Sequence, residues 1–437
     1  MSEQKGVVGS MAWKGWTAMT LCSIICLQAT FLVPYLVLVP DERTNLFTSL
    51  LTLLPLLQYL ASRSARQGVG SVSRGVLLAW VALAAGFALS AGLSDQPLSS
   101  QLRAFSFLAP TAGGLVCGQA FLRTARYRRF LFVLLSFCFA GLALSHLILG
   151  AQPSFMGLHH HALAGTLVLL SAGPIYLIGQ AGRLQRFVAG ALLLLGAVVC
   201  FIAGSRFVIL LPFVLIPVYV AFKSLSLKRA LAAVLVSTLV AGTFFFAYPD
   251  KVPRVRNYES TYYRVEAFPA TWEILKQHPL LGVGIRTPRK PFLENYQPVS
   301  SMATKEEFAG TLERNVTWDN QYLSLLCGIG VPLTLLYLYL AGRHLAAYLS
   351  RAWRQEVDRA TERAITFALL ASVIHFAVHD GLYYPQINWF FHLLLGVGAA
   401  LASGHAAGTP PADGQPGAPG AEPPSPEHAR AAGRVRP

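Results

Sequence analysis

The sequence predicts an all-α, polytopic membrane protein of about twelve transmembrane helices with one large, partly helical extracytoplasmic loop. Three observations predict it: an apolar composition, runs of apolar residues at membrane-spanning length, and a one-sided distribution of basic residues. Of 437 residues, 54% are hydrophobic and only 13% charged, with a mean hydropathy of +0.50. Such a balance lies outside the range of soluble domains and fits a chain whose solvent is lipid.

A spanning helix needs about 20 mostly apolar residues. Segments of that kind occur at 17–39, 45–61, 75–93, 101–121, 129–149, 162–180, 187–203, 206–222, 229–247, 320–341, 363–381 and 387–403. The long polar interval 248–318 separates the ninth from the tenth. The organisation expected is therefore transmembrane helices 1–9 within 1–247, a large loop at 248–318, helices 10–12 within 319–403, and a tail at 404–437. That tail is rich in Gly, Pro and Ala without apolar periodicity and is expected to be disordered. The stretch 342–362 reads either as a helix lying on the membrane surface or as an extension of the tenth span.

Orientation follows from the basic residues. Alternate loops place Lys5, Lys14, Arg63, Arg66, Arg74, Arg123, Arg126, Arg128, Arg129, Arg183, Arg186, Lys223, Lys228 and Arg229 on one side, together with the arginines from Arg343 to Arg363. Outside the long loop the opposite side receives Arg43, Arg103 and Arg206. Both termini are thus expected in the cytoplasm. The ten basic residues between 248 and 318 do not conflict with this, because long translocated loops escape the rule.

The net charge of +15 belongs to these cytoplasmic arginines, which face an anionic leaflet, and not to a nucleic-acid surface. The six cysteines fall in or beside apolar runs, without the spacing of a metal site or a disulfide framework. The first apolar run is followed by many others and reads as a retained span, not a cleaved signal.

Charge is costly inside a bilayer, so ionisable residues at span ends are where function is sought. Gly204-Ser205-Arg206 stands at the extracytoplasmic junction of two abutting spans, where a guanidinium could grip a phosphate with paired hydrogen bonds or simply snorkel. In the large loop, Tyr262 to Gln277 has helical apolar spacing through Val265, Phe268, Trp272 and Leu275 and stops at His278-Pro279. This predicts an amphipathic helix on the outer membrane surface, carrying Arg264. Beyond it, Gly282 and Gly284 permit close backbone approach to a ligand, with Arg286 following.

Asp319, in Trp318-Asp319-Asn320-Gln321-Tyr322, stands where the chain returns into the membrane. It is either a helix N-cap or a general base made stronger by desolvation. The histidines His159, His160, His161, His375 and His379, the last beside Asp380, lack the His-Glu-x-x-His zinc spacing, so no metal is expected.

Taken together, Gly-Ser-Arg at an outer helix junction, a long loop with Tyr-Arg and His-Pro-Leu-Leu-Gly-Val-Gly, and then Asn-Gln-Tyr-Leu with following glycines resemble the O-antigen ligase and polymerase family. The motifs cover about residues 150 to 403. The resemblance implies a bacterial inner-membrane glycosyltransferase that needs no cofactor, metal or nucleotide sugar. Its donor would be an undecaprenyl-diphosphate-linked glycan, its acceptor a glycan or lipid, with membrane lipids and polysaccharide assembly proteins as partners. By position, Arg206 and Arg264 or Arg286 would bind the diphosphate.

The pattern departs from the ligases at Asp319-Asn320, where they carry a histidine, and at Leu333, where they carry a glycine. The base is therefore sought among Asp319, His161 and His379, and a repeat-unit polymerase is expected over a ligase acting on lipid A-core. A transporter of lipid-linked sugar would show pseudo-symmetric halves and broken helices at the midplane. Here the polar features gather at one face.

Overall fold

The computed structural model describes residues 74–121, 125–149, 160–180, 182–202, 258–287, 289–299, 304–314, 318–354 and 357–402, with a few positions between 49 and 57. The predicted spans at 17–39, 206–222 and 229–247, most of 45–61, and the tail at 404–437 lie outside the described residues, as does Arg206.

All regular structure among the described residues is helical. The helices are α1 (Arg74–Gly92), α2 (Pro97–Phe121), α3 (Ala125–Leu149), α4 (His160–Leu170), α5 (Ala172–Gln180), α6 (Arg183–Ile202), α7 (Tyr258–Gln277), α8 (Lys305–Arg314), α9 (Gln321–Trp353), α10 (Arg359–His375) and α11 (Pro385–Ala402). Short 3-10 turns stand at Lys290–Leu293 and Gly381–Tyr383. Each span predicted within the described residues contains helix, although the one at 363–381 is α-helical only as far as His375. The one at 162–180 is interrupted at Ser171, whose hydroxyl donates to its own helix at Val168 O, 2.6 Å away.

Four stretches among the described residues are long and apolar enough to cross a membrane: Arg128–Ile148, Ala162–Gly179, Arg183–Cys200 and Gln321–Trp353. Many large apolar side chains on these and neighbouring helices point outward, among them Phe137, Ile148, Leu184, Phe187 and Leu194. A bundle that is apolar both inside and outside is a protein of the membrane.

Helix α2 packs most extensively on α11, and the reason is sequence. A Cβ on Gly114 would come within 2.5 Å of Trp389 O, and one on Gly118 within 2.0 Å of Leu393 O. From the other side, one on Gly396 would meet Leu115 O at 2.4 Å. Small residues thus let the backbones touch, which is how helices associate where lipid removes the hydrophobic drive. A polar knot locks the register: Asn388 Nδ2 donates to Phe107 O (2.9 Å) and Leu382 O (3.0 Å), and its Oδ1 lies 2.9 Å from the Thr111 hydroxyl.

Beyond Gly330 helix α9 continues to Trp353, so 342–353 extends the tenth span instead of lying apart from it. The chain then turns, and Asp358 caps α10 by accepting from Thr361 N at 2.9 Å.

Near its start α9 is broken. Gly330 has φ +74°, and Pro332 lacks the N–H that Gly328 O would otherwise accept. The segment after α7 fills the gap: Val283 N donates to Cys327 O (2.8 Å), Gly284 N to Gly328 O (3.0 Å), and Val331 N to Pro279 O (2.9 Å). Ser90 of α1 sets its hydroxyl 2.5 Å from Leu281 O and 3.0 Å from Gly328 O. At Gly282 and Gly284 the backbone comes close to the protein's own helix. A Cβ on Gly282 would lie 2.3 Å from Cys327 O.

Helices α7 and α8 form a layer with its own small core, in which Tyr263, Ala267, Ala270, Ile274, Phe308 and Trp318 meet the first turns of α9. Glu266, fully buried, ties the layer by accepting from the Tyr296 hydroxyl (2.5 Å) and Val299 N (3.1 Å). Thr304 and Glu307 close a reciprocal capping box at the start of α8. Helix α7 does present an apolar outer stripe, Val265, Phe268 and Trp272. Leu275, expected on that stripe, is buried instead.

Candidate functional site

Three segments converge on the start of α9: the N-terminal half of α7, the turn 286–289, and the turn 376–384 between α10 and α11. Hydrogen bonds staple them. Asn320 Nδ2 donates to Ala377 O (2.9 Å), Gln321 N to Phe376 O (2.8 Å), and Leu382 N to Gln321 Oε1 (2.8 Å).

Asn320, not Asp319, is the N-cap of α9, accepting from Tyr322 N (3.0 Å) and Leu323 N (3.2 Å). Both residue types cap well, and the chain uses the second. Asp319 is thereby left outside the helix, in a left-handed conformation with φ +51°. The only other non-glycine residue with positive φ among those described is Arg286, at +52°. Such backbone costs about 1–2 kcal/mol per residue and concentrates at functional positions. Both residues were sequence candidates.

Asp319 faces Arg264 of α7, with Nη2 to Oδ2 at 3.9 Å and both side chains more than a third exposed. That separation and exposure make a loose ion pair worth little to stability. Desolvation and then the neighbouring Asp380 carboxylate raise the Asp319 pKa to about 6, against the lesser opposing pull of Arg264 and Arg289. Asp319 is thus a stronger base than an ordinary carboxylate, yet ionised at neutral pH.

Arg289 completes the cationic side. It is 2% exposed, its guanidinium carbon sits 4.4 Å from the Trp318 ring centroid, and Nη2 reaches Ser324 Oγ at 3.4 Å. Its Nη1, like Nε of Arg264 and Nε of Arg286, has no hydrogen-bond partner among the described residues. Arg286 is anchored by its backbone, since Arg103 Nη1 donates to Arg286 O at 2.7 Å. Three guanidiniums against two carboxylates leave the cluster cationic, with donors free for an oxyanion.

His379 and Asp380 lie behind Asp319. They are 2% and 5% exposed, with His379 Nδ1 3.4 Å from Asp380 Oδ1. The His379 ring stacks on Tyr384, centroids 5.5 Å apart. One ligand-type atom from each of Asp319, His379 and Asp380 falls within 4.8 Å of the others. Spacing of this kind also suits a cation, but Arg264 and Arg289 already face the same carboxylate, and the surplus charge favours an anion.

The structure thus brings together Arg264, Arg286, Asp319 and His379 of the sequence candidates. His161 belongs to the first turn of α4, and its side chain is outside those described. Sequence reasoning missed Arg289, for which Arg286-Thr-Pro-Arg289 was the available signal, and gave no role to Asp380 beside His379.

Residues 191–338 match the family model described as O-antigen ligase. Over that stretch the chain is similar to the O-antigen ligase family, the same resemblance that its motifs carry. The matched stretch runs from within α6 into α9 and contains Arg206, Arg264, Arg286, Arg289 and Asp319, whereas His161, His379 and Asp380 lie beyond it. No curated protein matches the chain.

Proposed function

We propose that this protein is a repeat-unit polymerase of a cell-surface polysaccharide. It spans the bacterial inner membrane about twelve times, with both termini in the cytoplasm and the α7–α8 layer in the periplasm. The donor is a glycan on undecaprenyl diphosphate, and the acceptor hydroxyl belongs to another lipid-linked repeat. The observation that carries this reading is the convergence of Arg264 and Arg289 on the raised-pKa carboxylate Asp319, with Arg286 acting on the adjoining Tyr384 and each arginine keeping an unused donor.

The chemistry follows from charge. Arg264 and Arg286, with Arg206 from the junction before the loop, hold the donor diphosphate. Asp319 takes the proton of the acceptor hydroxyl, and that oxygen attacks the anomeric carbon from the face opposite the leaving diphosphate, inverting it. As the glycosidic C–O bond breaks, its electron pair goes to the diphosphate, and preorganised guanidiniums stabilise the growing negative charge. In this reading positioning and electrostatics serve in place of a metal.

A second reading, transfer to lipid A-core, is favoured by the family description O-antigen ligase. Incubating purified protein with lipid-linked repeats, with and without lipid A-core, separates the two. Longer lipid-linked chains mark a polymerase, a lipid A conjugate marks a ligase, and neither product sinks both. Arg206→Ala should abolish surface polymer while the protein stays in the membrane, and normal polymer chains in that strain would remove Arg206 from the site.

A further inference from the structure

We infer that His379 and Asp380 form a proton-accepting pair behind Asp319, so that Asp319 meets the acceptor hydroxyl and His379, held by Asp380, takes the proton onward. The inference rests on the glycan-transfer reading and deepens it by assigning the route of the proton.

Burial divides the labour. The Asp319 side chain keeps 37% of its surface, so a substrate hydroxyl can reach it. His379 and Asp380 are almost wholly enclosed. All three groups nevertheless lie within 4.8 Å of one another. A carboxylate buried as deeply as Asp380 needs a partner, and the His379 ring lies 3.4 Å from it.

The ring is fixed from both sides, by Tyr384 at 5.5 Å and by His375 at 5.2 Å between centroids. Its position relative to Asp319 is fixed as well, because Asn320 and Gln321, directly after Asp319, are bonded to Phe376, Ala377 and Leu382. These staples join residues far apart in sequence at the point where proton transfer needs a constant separation.

The step balances simply. The acceptor O–H proton moves to an Asp319 oxygen as the new C–O bond forms and the lipid diphosphate departs with the bonding pair. Asp319 then passes that proton to an imidazole nitrogen of His379, and the Asp380 carboxylate stabilises the resulting imidazolium. Release to water restores the neutral ring for the next turnover.

Other charged groups act on the same carboxylates. From α7 these are Arg264 and the Tyr263 hydroxyl, and from the following turn Arg286 and Arg289. From α10 and the turn after it they are His375, Tyr383 and Tyr384. Asp380 is the group among them whose removal lowers Asp319 basicity without removing a donor ligand.

The test compares wild-type protein with Asp380→Asn, Asp380→Glu and His379→Gln in the transfer assay across pH, with donor KM and membrane level measured for each. In the wild type, activity should fall as the pH drops through about 6, where Asp319 becomes protonated. In Asp380→Asn that acidic limb should move to lower pH, with kcat reduced at least about tenfold and donor KM unchanged. Asp380→Glu should restore part of both. His379→Gln should lower kcat similarly with KM unchanged.

A limb that stays in place in Asp380→Asn, with only the amount of folded protein reduced, would mean a structural pair and overturn the inference. Unchanged kcat in both Asp380→Asn and His379→Gln would overturn it too, leaving the glycan-transfer reading intact. A wild-type protein that transfers no lipid-linked glycan defeats that reading first and the inference with it.

Discussion

The α2–α11 contact and the cluster at the start of α9 are both polar places in an apolar bundle, and they treat polarity in opposite ways. The side-chain groups of Asn388 itself all meet partners: two carbonyls accept from its amide, and the Thr111 hydroxyl lies 2.9 Å from its oxygen. Around Asp319 three guanidiniums keep nitrogens without partners, and two residues hold left-handed backbone. A satisfied network specifies a fold. Donors left open, backed by strained backbone and surplus positive charge, specify a ligand.

That contrast can be broken experimentally. The largest effect is expected from Asp319→Asn, which keeps the size and tolerates positive φ but cannot take a proton. Its kcat should fall about 10²–10⁴-fold at unchanged membrane level, as read in the lipid-linked transfer assay. Gly282→Val, on the seam between the two regions, adds a side chain 2.3 Å from Cys327 O at a positive φ. It should destabilise by about 1–3 kcal/mol and lower both stability in detergent and activity.

Asn388→Ala opens the satisfied knot instead. It should cost about 1–3 kcal/mol in thermal unfolding, while turnover per folded molecule stays near wild type. If turnover fell as far as in Asp319→Asn, the division between fold-specifying and ligand-specifying polarity would fail.

The smallest effect concerns stability against pH. Asp319 has a folded pKa of about 6, above its unfolded value of 3.8, so its charge opposes folding above pH 6. The opposition is relieved as pH falls toward 4. Wild type should gain slightly in thermal stability over that window, and Asp319→Asn should lose the gain, even as acid removes activity.

Much of the fold was legible because spans announce themselves by length and apolarity. The interruption at Ser171 was not, since a hydroxyl that bonds back to its own helix leaves the apolar pattern intact. At the site, Asp319 and Arg286 were legible as charges beside membrane segments. The exchange of capping duty between Asp319 and Asn320 was not, because either side chain accepts the same bonds. Arg289 was hidden because its burial depends on Trp318, a ring brought over it only by tertiary packing. His379 was legible as a candidate, whereas its closeness to Asp319 depends on backbone bonds between distant turns.

The break at Gly330 divides the longest helix by task. The part after it, through Trp353, measures about 35 Å at 1.5 Å per residue, enough by itself for a hydrocarbon core of about 30 Å. The first turns, which carry Ser324 and follow Asp319, are thereby released from crossing the bilayer and belong mechanically to the layer above it. Val331 N, donating to Pro279 O across the break, ties the start of the lower segment to the loop that follows α7. One glycine thus joins a span-length helix to the turns that follow Asp319, and its φ of +74° sets the angle between the two.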